Sequence, residues 1–64
     1  MNPEIEWELF EFVQTEKSFG QICAGIKQPL PLISIALKQL VGNGRIIKIV
    51  KGDDIYYAQK QHDQ

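Results

Sequence analysis

The chain has 64 residues, of which 44% are hydrophobic and 23% charged, with a net charge of −1. That length allows one domain with one thin core, worth roughly 3–5 kcal/mol, and leaves no room for an enzyme-sized cleft. The near-neutral balance argues against an indiscriminate nucleic-acid binder, but it hides a division: residues 1–17 hold five glutamates against Lys17, whereas residues 18–60 hold six lysines and arginines against Asp53 and Asp54. The single cysteine, Cys23, excludes an intrachain disulfide, and no run of residues resembles a secretion signal or a membrane span. A cytoplasmic protein without membrane association is the expectation.

Asn2-Pro3 predicts a helix start, with Asn2 as cap and proline at the first helical position, and the helix should run to about Glu16. Ile5, Leu9, Phe12 and Val13 recur at helical spacing and form its core stripe, while Glu4, Glu8 and Glu11 occupy the far side. Trp7 and Phe10 fall off the stripe. Either a loop or the C-terminal tail covers them or they form a dimer contact.

Ser18-Phe19-Gly20-Gln21 has the form of a capping box and predicts a short second helix ending near Lys27. Phe19, Ile22, Cys23 and Ile26 supply its buried stripe, which makes Cys23 a core residue and not a reactive thiol. After Pro29 and Pro31, a third helix carries Ile33, Ala36, Leu37, Leu40 and Val41 inward and stops at Gly42-Asn43-Gly44, with Gly44 the residue just past its end. The outward set is Leu32, Ser34, Ile35, Lys38 and Gln39. Leu32 and Ile35 are surplus apolar residues, and one account folds Leu30 and Leu32 back onto the second helix because the two prolines bend the entry.

Arg45 to Lys51 is a β-branched run, Gly52-Asp53 a tight turn, and Asp54 to Gln59 a second strand. A two-residue loop sets Lys51 against Asp54, Ile49 against Tyr56 and Ile47 against Ala58, with the last two pairs on the expected buried face. Asp53-Asp54 is a turn-former; a cation would need more ligands. Residues 61–64 form a polar tail behind a single domain of residues 1–60. His62 stands alone, no Ser/His/Asp or Cys/His set exists, and Gly42-Asn43-Gly44 lacks the Lys-Ser/Thr of a phosphate loop, so the residues predict no enzyme, metal or cofactor.

The order helix, helix, helix, hairpin is a winged helix-turn-helix plan, a small α+β fold with a possible short third strand near Ser18-Phe19. Ser18-x-x-Gln21-Ile22 resembles the opening of that fold's second helix, and Ile33…Leu37…Leu40…Gly44-x-Ile46 resembles its recognition helix and the exit into the wing. More narrowly, Pro29-Leu30-Pro31-Leu32-Ile33, with Leu37, Leu40, Gly44-Arg45 and Lys48-Ile49, is similar to FeoC-like proteins, small winged helices encoded with ferrous-iron transporters. Those usually carry a cysteine-rich wing proposed to hold iron. Gly52-Asp53 replaces that loop, so metal sensing does not carry over.

The resemblance implies double-stranded DNA as partner, a dimer, and transcription regulation. The third helix would enter the major groove, where Ser34 and Gln39 have hydrogen-bonding groups for base edges and Lys38 neutralises a phosphate. Lys27, Arg45, Lys48 and Lys51 are further phosphate candidates. Leu32 and Ile35 cannot hydrogen-bond to bases and, with Trp7 and Phe10, are the candidates for a protein interface. The competing expectation is a protein-interaction module that buries this apolar face and does not touch DNA.

Overall fold

A computed structural model describes residues 3–60. Its elements are α1 (Pro3–Phe12), β1 (Lys17–Ser18), α2 (Phe19–Gly25), α3 (Leu30–Gly42), β2 (Ile46–Lys51) and β3 (Asp54–Gln59). The strands form one antiparallel sheet in the order β1-β3-β2. Three helices beside a sheet whose last two strands are a hairpin make the winged-helix arrangement. The expected cap Asn2 and the tail residues 61–64, with His62, lie outside the described residues.

Local chemistry accounts for most boundaries. α1 ends at Phe12, four residues before the expected Glu16, because the carbonyl of Val13 turns to accept the Gln59 backbone N–H at 3.0 Å. Ser18 and Gln21 complete the capping box: the serine Oγ accepts from the Gln21 N–H at 3.1 Å, and the Gln21 side chain accepts from the Ser18 N–H at 2.8 Å. α3 begins before its second proline, since Pro31 sits in the first turn, where a missing N–H costs nothing. Its end is a Schellman motif: Arg45 N–H donates to Leu40 C=O and Gly44 N–H to Val41 C=O, with Gly44 at φ +77°. Gly52, at φ +61° and followed by an aspartate of negative φ, gives the hairpin loop the backbone signs of a II′ turn.

The core joins Ile5, Leu9 and Val13 from α1, Ile22 and Ile26 from α2, Ile33, Ala36, Leu37 and Leu40 from α3, and Ile46 and Tyr57 from the hairpin. Phe12, Phe19, Val41 and Cys23 are half-buried at its margin, so the stripe of α2 is fully buried only at its two isoleucines. Gln59 ties the last strand to α1: its Nε2 donates to the Phe10 carbonyl at 2.8 Å, which the end of α1 leaves without a helical partner.

The hairpin register is the expected one, with Lys51 opposite Asp54, Ile49 opposite Tyr56 and Ile47 opposite Ala58, but the buried face is the other one. Ile46 and Tyr57 enter the core. Ile47 is exposed, and Ile49, Tyr56 and Ala58 are half-buried. The Schellman turn decides this, because it delivers the chain so that Ile46, directly after Arg45, faces inward. The refolding of Leu30 and Leu32 onto α2 does not occur either: both lie in the first turn of α3 and are exposed.

Candidate nucleic-acid interface

α3 presents Ser34 and Lys38 one turn apart on one flank, and the inward-facing side of the hairpin presents Lys48 directly across from Tyr57. These meet in a shallow groove of about 370 Å³ lined by Phe19, Ser34, Leu37, Lys38, Val41, Lys48 and Tyr57. The Ser34 hydroxyl and two ammonium groups thus surround a floor that is apolar apart from the Tyr57 hydroxyl. Such a set suits an anion of extended shape, with the hydroxyl able to donate or accept and the cations supplying charge. Burial in that floor pushes the Tyr57 hydroxyl above its ordinary pKa, so it stays neutral there.

The other candidates lie elsewhere. Gln39 is about 140° round the helix from Ser34, on the opposite flank; it is half-buried, and its Oε1 is buried with no hydrogen-bond partner among the described residues. Arg45 lines a separate hollow with Glu6, Trp7, Phe10, Leu40 and Asn43. Lys51 is on the hairpin's far face. Its ammonium is ion-paired with Glu16, which raises its pKa, and lies 5.0 Å over the Tyr56 ring. Lys27 is exposed in the turn before α3. Three of the seven expected contact residues therefore share the groove.

Tyr57 and Phe19, which form its floor, were not among the sequence candidates. The signal for Tyr57 was the second phase of the hairpin alternation, in which it pairs with Lys48. Of the protein-interface candidates, Trp7 is 60% exposed and packs at a tilt against the half-buried Phe10, with ring centroids 5.9 Å apart. No loop among the described residues covers it. Leu32 and Ile35 are 42% and 53% exposed.

Among the described residues no three His, Cys, Asp or Glu side chains gather where a metal could be held. No described helix is long and apolar enough to cross a membrane. Neither a protein-family model nor a curated protein matches the chain.

Proposed function

We propose that this chain is a small DNA-binding winged helix, a transcription regulator acting in the cytoplasm as a dimer on double-stranded DNA. The observation that carries the reading is the convergence of Ser34, Lys38 and Lys48 on one groove between α3 and the hairpin. In this reading α3 approaches the major groove, Ser34 meets a base edge or phosphate, and the two lysines neutralise backbone phosphates. Arg45 and Lys51 contribute less than their charge suggests, because one opens on a separate hollow away from the groove and the other is paired with Glu16. One copy with so few cations binds weakly, so two copies are needed to raise affinity and set half-site spacing.

Titration of mixed-sequence duplex DNA at rising salt tests this. Binding at low salt should weaken with salt, and Lys38→Glu with Lys48→Glu should abolish it, each lysine accounting for about 0.9 of the log–log slope. Lys51→Glu should change binding far less. No binding at low salt, or binding indifferent to the double substitution, refutes the reading.

The exposed Leu30, Leu32 and Ile35 favour a second reading, in which α3 buries against a different protein and the basic groove is incidental. Ile35→Ser, which removes the apolar side chain without adding charge, separates the two, since it should spare DNA affinity in the first and weaken partner binding in the second.

A further inference from the structure

Charge is sorted by element in this fold. α1 holds Glu4, Glu6, Glu8 and Glu11 and no lysine or arginine, whereas the groove between α3 and the hairpin is lined by Lys38 and Lys48 and by no acid among the described residues. From the acidic helix projects Trp7, 60% exposed, with the exposed Glu4, Glu8 and Glu11 within about 100° of it round the helix. The hollow that holds Arg45 lies on the other side of Trp7, toward Glu6 and Phe10. An indole flanked by three carboxylates is the negative counterpart of a largely apolar groove edged by two ammonium groups. The two point apart within one copy: the Trp7 hollow meets α3 at Leu40 and Asn43, and the groove meets it at Ser34, Lys38 and Val41.

The other exposed apolar side chains do not match the groove in this way. Leu30, Leu32 and Ile35 stand between Lys27 and Lys38 in the chain, so their surroundings have the groove's own sign. Ile47, Val50 and Ile55 belong to a hairpin carrying Lys48, Lys51, Asp53 and Asp54, whose signs cancel. Size agrees with the choice of Trp7. The groove, at about 370 Å³, has the volume of a small-ligand pocket, and a tryptophan has about 150–250 Å² to bury in it. Phe19 and Tyr57 offer the indole ring neighbours, and the two lysines offer cations to its face and to the carboxylates beside it.

We infer that, without DNA, the Trp7 face of α1 in one copy docks in the Ser34, Lys38, Lys48 groove of the next, so that self-association and DNA compete for one site. The contact is head-to-tail, each copy giving one surface of each kind, so association closes into a ring or runs on as a chain. A groove held by DNA cannot accept a neighbour's helix, and the DNA-bound pair of the proposed function uses a different contact. The competition rests on that proposed DNA site; the self-association does not.

Trp7 is the chain's single tryptophan, so its fluorescence reports the contact directly. At low salt the emission of the full chain should move to shorter wavelength as concentration rises, in step with sedimenting mass, and added salt should reverse both. Glu8→Lys with Glu11→Lys in one variant, and Lys38→Glu with Lys48→Glu in another, should each weaken association about tenfold or more, because like charges then face each other. Mixing the two variants recreates both complementary pairings and should restore association, which misfolded variants would not do. Duplex DNA added to the native chain should return Trp7 emission to its dilute value. A native chain monomeric at every concentration, reversed variants that associate as well as the native chain, or a mixture that stays monomeric overturns the inference. Trp7 emission that stays shifted while DNA binds overturns the competition. DNA that does not bind at all overturns the proposed function and the competition with it, while self-association is still decided by the charge reversals.

Discussion

Replacing Gly25 with alanine should stabilise α2 on helix propensity alone, since alanine exceeds glycine by about 0.5–1 kcal/mol in a helix. The structure reverses the sign. Gly25 closes α2 against the ring of Phe12, and a Cβ at that position would lie 2.4 Å from Cζ and 2.6 Å from Cε1. Carbon atoms pack at about 3.5–4.0 Å, so the ring must retreat by about 1 Å. Phe12 is packed on the core, and the Lys17 ammonium sits 5.3 Å from its centroid, so the movement disturbs both contacts. Overpacking of this kind costs about 1–3 kcal/mol, which exceeds a propensity gain that is small at the last residue of a helix. The net loss should be about 1–2 kcal/mol. Each kcal/mol lowers the melting temperature of so small a domain by about 4–8 °C.

Thermal melts followed by circular dichroism should therefore show Gly25→Ala clearly below the native chain. Gly20→Ala, whose nearest neighbour would be Ser18 Oγ at 3.9 Å, should melt at or above it. Phe12→Leu in combination with Gly25→Ala should cost less than the two single losses added, because the smaller side chain removes the clash. If Gly25→Ala alone melts no lower than the native chain, the packing described for Phe12 is refuted.

Three further outcomes follow from named contacts. Gln59→Ala removes the donor to the Phe10 carbonyl and should cost about 1 kcal/mol in a urea titration, whereas an effect near zero would show that water serves that carbonyl equally well. Ser18→Ala removes one half of the capping box and should cost about 1 kcal/mol, with Gln21→Ala adding less than its own single loss because the two bonds act as a unit. Burial raises the Tyr57 pKa above 10.0, so the unfolded chain releases that proton first; stability from this group is intact below pH 10 and declines as pH rises above it. Tyr57→Phe should flatten that decline, and an unchanged pH profile would remove Tyr57 from the account.

The parts of the fold legible in the residues are those governed by neighbours in the chain. Ser18 and Gln21 are three residues apart and can only cap one another; Gly44 and Gly52 take the left-handed backbone their turns require; the two-residue loop then dictates every cross-strand pair. The site was legible only in part. Ser34 and Lys38 share a helix flank by spacing alone, but Gln39 seemed equally outward on the helical wheel and is half-buried on the opposite flank. Lys51 reads as a wing cation, yet its partner Glu16 is 35 residues away.

What the sequence determined by itself was the inventory and order of elements, because capping, turn geometry and helical periodicity act over a few residues. Only the tertiary structure decided which hairpin face is buried, since isoleucine and tyrosine stand in both phases of the alternation and no local preference separates them. The Schellman exit from α3 broke that tie by turning Ile46 inward. That turn sent Lys48 to the groove with Ser34 and Lys38, Lys51 to the far side with Glu16, and left Ile47 and Ile49 facing out.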